Sequence, residues 1–197
     1  MMRAFIRKEI VSLAASFKGA TPFRHVLVLN FLEDPKPILK AVSSLDFKRL
    51  DTDLFSFSQS GNLLYETPAQ LRPLTGFLCS SNFSGFISSI TGHKLRPGAL
   101  DLSASLYTAT DYLLCHDDDI EDRKIAYILY LSDSFSQADG GALALLENNG
   151  KHPGQKAKRY FPVQNSLMVF EVSKKSWHEI EEVVSSKKRC TIGGWLH

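Results

Sequence analysis

The sequence has 197 residues, 44% of them apolar and 22% charged, with a formal net charge of +2. That balance belongs to a globular domain with a sizeable core, and it excludes a disordered or disulfide-stapled chain. The charge singles out no partner class. The basic run Lys156–Arg159 reads as a solvated loop, so no direct contact with nucleic acid is expected. Cys79, Cys115 and Cys190 are odd in number and far apart, against a disulfide framework or a zinc knuckle. A reducing compartment, cytoplasmic or nuclear, fits that usage. No apolar run approaches the roughly 18 residues needed to cross a bilayer, so no membrane partner is expected.

Residues 1–20 carry Phe5, Ile6, Ile10, Leu13, Ala14 and Phe17 at helical spacing and read as an amphipathic first helix. A basic transit peptide is the alternative, but Glu9 is unusual in one. Phe23 to Phe31 is aliphatic and β-branched and predicts a strand. Asp34-Pro35 predicts a helix start with Asp34 as cap, running to about Leu45. Leu54 to Ser58 alternates apolar and polar, as a half-buried strand does. Thr67-Pro68 opens a second helix to about Cys79, and Ser81 a third that stops at Gly92.

After Pro97-Gly98 short apolar segments alternate with turn signals: 103–107, 112–115, 125–131, 143–146, 166–172, 177–182 and 189–196. Many short strands at that spacing predict a sandwich or jelly roll. The expected architecture is one mainly β domain with covering helices (α+β). Residues 1–98 form its covering region and residues 99–197 its core strands.

The segment CHDDDIEDRK contains His116-Asp117-Asp118. In a strand, residues two apart face one side, so His116 and Asp118 are expected to aim at one point. An imidazole and a carboxylate supply two thirds of the facial triad that holds Fe(II) and leaves positions open. A calcium loop is a poor rival, because Ile120 and Arg123 break the oxygen-ligand spacing. An acidic solvated turn is the plainer reading of the motif alone. His178 stands sixty residues beyond Asp118, at the head of a predicted strand, and is the candidate third ligand. A zincin reading of HEIEE fails, because Glu182 occupies the place of the second histidine. Arg189 follows eleven residues later. Residues 178–182 and 189–196 read as a hairpin that returns Arg189 to the same pocket. Its guanidinium fork matches a carboxylate in two parallel hydrogen bonds. Gly140-Gly141 and Gly193-Gly194 permit bulges or close approach, the first pair reading as simple turn chemistry.

His-x-Asp, a distal His and then Arg-x-Thr resembles the 2-oxoglutarate- and Fe(II)-dependent oxygenases. More narrowly, LLCHDDDIEDRKIAYILYLS, ADGGALALL, LMVFEVSKKSWHEIEEV and RCTIGGWLH are similar to the ribosomal prolyl hydroxylases. So are HVLVLNFL, DLFSFSQS and SSITGHKL in the first half. The resemblance implies a double-stranded β-helix, with His116, Asp118 and His178 as catalytic metal ligands. It implies Arg189 on the distal carboxylate of 2-oxoglutarate, Tyr107 and Tyr130 as hydroxyl donors to it, and Leu143 and Trp195 packing near it. Arg123 corresponds to an arginine near the peptide entrance. The implied reaction uses Fe(II), O₂ and 2-oxoglutarate, with ascorbate as a supporting reductant, to hydroxylate a prolyl residue of a small-subunit ribosomal protein. Mn(II) or Zn(II) can occupy such sites. Yeast and animal members of the family continue into a second, metal-free barrel. Two rivals remain: an oxygenase acting on another substrate, and a non-catalytic jelly-roll module.

Overall fold

The computed structural model describes residues 2–120 and 122–197. Its eleven strands are β1 (His25–Val28), β2 (Phe47–Asp51), β3 (Phe55–Ser60), β4 (Ser103–Tyr107), β5 (Tyr112–His116), β6 (Ile125–Tyr130), β7 (Leu143–Asn149), β8 (His152–Tyr160), β9 (Ser166–Glu171), β10 (His178–Ile180) and β11 (Arg189–Leu196). They pair antiparallel in the order β1-β9-β6-β11-β4-β3-β5-β10-β7-β8, with β2 on β3. The sheet curls into the half-barrel of a jelly roll, as expected. The helices are α1 (Arg7–Gly19), α2 (Lys36–Val42), α3 (Arg72–Leu78) and α4 (Ser81–Thr91). None is long and apolar enough to cross a membrane.

Period-two alternation sorts the strands between two cores. Ile125, Tyr127 and Leu129 of β6, Leu167 and Val169 of β9, and Ile192 and Leu196 of β11 face the helices. There they meet Phe17, Leu74, Leu78, Phe83 and Ile87. Ala126, Tyr130, Met168 and Phe170 point the other way, into the barrel. Both faces of β6 and β9 are therefore buried, which is why those segments read as nearly continuous apolar runs. The same alternation on β11 turns Cys190, Ile192 and Leu196 to the helices and Arg189, Thr191, Gly193 and Trp195 to the barrel cavity.

Several boundaries differ from expectation for local reasons. Ile6 precedes α1 and is exposed, while the Glu9 carboxylate accepts its N–H. The first strand is only His25–Val28. Asp34 accepts the Lys36 N–H, but Pro35 takes the cap position and the helix ends at Val42. The Thr67 hydroxyl turns back to the Leu63 carbonyl, and a short 3₁₀ turn separates Pro68 from α3. By contrast, α4 begins at Ser81 and stops at Gly92 as expected, with Ser80 as cap and Gly92 in the left-handed region.

Two strands were not foreseen. β2 and β8 are mostly exposed and polar, so no hydrophobic alternation marks them. β8 contains the run Lys156–Arg159, which is therefore an edge strand and not a loop. Lys156 and Arg159 pair with Glu181, and Lys156 also with Glu179. A lysine-rich edge discourages pairing with other chains.

The expected hairpin of β10 with β11 does not form. β10 pairs with β5 and β7, whereas β11 pairs with β4 and β6. The segment 183–188 crosses between the two sides of the half-barrel instead of turning back.

Gly140-Gly141 carries more than turn chemistry. Gly140 has φ 67° and ψ −147°, a conformation essentially reserved for glycine, and a Cβ there would overlap the Glu182 carbonyl. Gly140→Ala is expected to cost at least about 1–3 kcal/mol from the backbone conformation alone. Urea unfolding checks this: an unchanged midpoint would show that the turn tolerates a side chain.

Candidate active site

β10 contributes His178 to a cavity of about 680 Å³, open mouth included, inside the half-barrel. His116 reaches the same cavity by an irregularity of β5. His178 lies opposite His116 and Ile180 opposite Leu113, so three residues of β5 span what two of β10 span. Such a bulge re-aims a side chain. It lets Leu113 and His116 both line the cavity. Asp118 lies beyond the strand end and has φ 62°. Aspartate is among the few residues that tolerate this left-handed region. The expected convergence of His116 and Asp118 is thus real, but it arises from a bulge and a left-handed residue, not from strand alternation.

Candidate ligand atoms of His116, Asp118 and His178 all lie within 4.8 Å of one another. Asp118 sits between the rings, with Oδ1 3.4 Å from His116 Nε2 and Oδ2 3.3 Å from His178 Nε2. The far side of each imidazole is committed. His116 Nδ1 is 2.8 Å from the Leu114 carbonyl, and His178 Nδ1 is 2.7 Å from that of Ser176. A carbonyl only accepts, so each Nδ1 carries a proton, and each Nε2 is the nitrogen turned to Asp118 and available to a metal. The Ser176 hydroxyl donates within reach of the Asp117 carbonyl at 2.9 Å, tying the two ligand-bearing loops together.

Burial raises the Asp118 pKa, but hydrogen bonds and charge from both histidines outweigh it and hold the carboxyl well below its ordinary range. Burial likewise lowers the His116 pKa, while Asp118 reverses the balance and leaves it above the ordinary imidazole value. Once a metal displaces the proton between Nε2 and Asp118, the two imidazoles and one carboxylate form a donor set that suits Fe(II).

Arg189 is 1% exposed and lines the same cavity. Its Nε donates to the Gly141 carbonyl at 3.0 Å. Its guanidinium carbon lies 5.1 Å from the Tyr107 ring centre and 5.2 Å from that of Tyr130. No carboxylate pairs with it among the described residues, and Nη2 and the Tyr130 hydroxyl have no hydrogen-bond partner. A buried cation without a counterion is costly, so this end of the cavity is built for an anion. Burial pushes both phenols above the ordinary tyrosine value, although the Arg189 charge acts in the other direction. Both therefore remain neutral hydroxyl donors near neutral pH. Thr191 also lines the cavity beyond Arg189.

Of the other expected residues, Tyr130 and Leu143 are fully buried in the barrel core, outside the residues that line the cavity. Trp195 does more than pack. Its Nε1 donates to Asp118 Oδ2 at 2.9 Å, and the Arg123 guanidinium stacks 3.4 Å from its ring centre. The Gly141 carbonyl went unforeseen because a backbone acceptor leaves no residue-type signal, although the adjacent glycine doublet hinted at close approach.

A jelly roll with a two-histidine, one-carboxylate cluster and a buried guanidinium in one cavity has the donors for a metal ion and the charge for a small anion. The comparisons narrow the class. Residues 102–197 match the model described as "2OG-Fe(II) oxygenase superfamily". It is 36% identical over 184 residues to a Xenopus laevis protein named prolyl 3-hydroxylase OGFOD1, covering 90% of this chain and 35% of that one. It is 36% identical over 191 residues to prolyl 3,4-dihydroxylase OGFOD1 of Ostreococcus tauri, covering 89% and 37%. The chain thus spans only about a third of the length of the curated relatives it matches. A Pseudomonas putida prolyl-4-hydroxylase shares the fold at a TM-score of 0.69 and 18% identity, over 94% of this chain and 98% of that one.

Metal binding must remove the proton that Asp118 favours on His116. Asp118 raises the His116 pKa, so affinity for Mn(II) is expected to rise with pH as that proton is lost, with proton release on binding. Calorimetry in buffers of different ionisation enthalpy checks this; a pH-independent affinity would contradict the protonation scheme.

Proposed function

We propose that this chain hydroxylates a prolyl residue of a protein, using 2-oxoglutarate and O₂, and that the target is a small-subunit ribosomal protein. The observation that carries the reading is the unpaired Arg189 guanidinium, buried in one cavity with the His116–Asp118–His178 cluster. A dianion with a carboxylate at each end satisfies both halves of that cavity. The two OGFOD1 relatives are named as prolyl hydroxylases, and this supports the prolyl target. The ribosomal target rests on the likeness of the sequence segments to that family.

When bound, iron and 2-oxoglutarate supply the oxidation of an unactivated C–H bond by O₂, with succinate and CO₂ as by-products. The chain's own residues bind and orient. Arg189 grips the distal carboxylate, with Tyr107 as a flanking hydroxyl donor. Asp118 stays ionised, and the two histidines present Nε2. Phe57, Leu113, Phe170 and Ile180 give the cavity an apolar wall that keeps bulk water from the reacting centre.

Incubation with Fe(II), ascorbate and 2-oxoglutarate should add oxygen to a prolyl peptide from the ribosomal small subunit, read as a mass shift, with succinate formed in step. Absence of any shift across such peptides, with succinate still produced, would move the target elsewhere. Arg189→Ala removes charged hydrogen bonds worth about 1.5–3 kcal/mol. The KM for 2-oxoglutarate should therefore rise about 10- to 150-fold. An unchanged KM would place the distal carboxylate on another group. His178→Ala should abolish turnover with the fold retained by circular dichroism.

A further inference from the structure

We propose that Trp195 is a positioning residue for the metal-binding carboxylate, its indole N–H holding Asp118 Oδ2 while Arg123 clamps the ring from above. This rests on the assignment of Asp118 as a metal ligand. Trp195 Nε1 lies 2.9 Å from Asp118 Oδ2, a direct hydrogen bond from a neutral donor. Arg123 lies over the ring at 3.4 Å from its centre and is only 17% exposed in its side chain. It sits between two carboxylates, with Nη1 3.9 Å from Asp118 Oδ1 and Nε 3.8 Å from Asp101 Oδ2. Asp101 in turn donates its backbone N–H to the Trp195 carbonyl at 2.8 Å. Indole and guanidinium are therefore fixed from both sides.

The strand geometry makes the contact possible. Gly193 and Gly194 precede Trp195 on β11 and line the cavity. A Cβ at Gly194 would overlap the Asp101 carbonyl, so only glycine lets β11 run this close to residue 101 and aim the indole at Asp118.

The consequence is a coordination count. A carboxylate can bind a metal through one oxygen or two. Two histidines and a two-oxygen Asp118 would fill four of six positions. Only two would remain, one too few for a chelating 2-oxo acid together with O₂. With Oδ2 engaged by the indole, Asp118 offers Oδ1 alone and three positions stay open. Arg123 stacks on the ring and lies 3.9 Å from Asp118 Oδ1, so it supports Asp118 both through Trp195 and by its charge.

The test measures metal binding without turnover. Trp195→Phe keeps an aromatic ring under Arg123 and deletes only the donor. It should weaken Mn(II) binding about 10- to 100-fold, the range for losing a partner of a metal ligand. It should also change the d–d spectrum of the Co(II)-substituted protein, which reports coordination number. Trp195→His restores an N–H donor and should recover part of both signals. Arg123→Ala, which leaves donor and ligand in place, should give a smaller change of the same sign. Wild-type affinity and an unchanged Co(II) spectrum in folded Trp195→Phe would overturn the proposal. Wild-type protein that binds neither ion would overturn the metal assignment itself, and this proposal with it.

Discussion

A guanidinium buried at 1% exposure with no carboxylate beside it is an expensive object, and the barrel is arranged around it. Two of its neighbours are tyrosine rings whose hydroxyls are held neutral, and its Nε is held by one backbone carbonyl. That carbonyl belongs to Gly141, and the Gly140-Gly141 turn adopts its shape only because neither residue has a side chain. The charge is thus oriented by neutral groups and left free to meet an anion. An ion pair inside the fold would have cancelled it.

The metal end depends on a comparable economy of means. A bulge turns His116 inward, a left-handed aspartate follows it, and carbonyls behind both rings leave Nε2 facing the carboxylate. Each device is local, yet the three residues come from two strands and a loop that meet only because β10 lies beside β5. The indole of Trp195 brings a third strand, β11, to the same carboxylate. Since β11 also carries Arg189, one strand addresses both ends of the cavity through its period of two.

Much of this was legible in the residues. The core strands β6 and β9 show as apolar runs because both their faces are covered, and Gly92 marks a helix end unambiguously. That His116, Asp118, His178 and Arg189 meet in one cavity was legible through their chemical types and order. β2 and β8 were not, because an exposed polar edge has no apolar period to read. The crossing from β10 to β11 reads as a hairpin in the sequence, since a short connection fits either path and only the barrel's closure decides between them. The bulge in β5 was invisible for a related reason: its cause is the register with β10, a long-range fact with no local residue signature.

The account stands or falls on one cavity holding both a metal and a dicarboxylate. The most direct measurement is a crystal structure of the protein with Mn(II) and 2-oxoglutarate grown without oxygen. The expected result is a single ion bonded to His116, Asp118 and His178, chelated by the 2-oxo acid, whose far carboxylate is forked on Arg189. An ion bound by other side chains, or a 2-oxo acid whose far end leaves Arg189 unpaired, would contradict it.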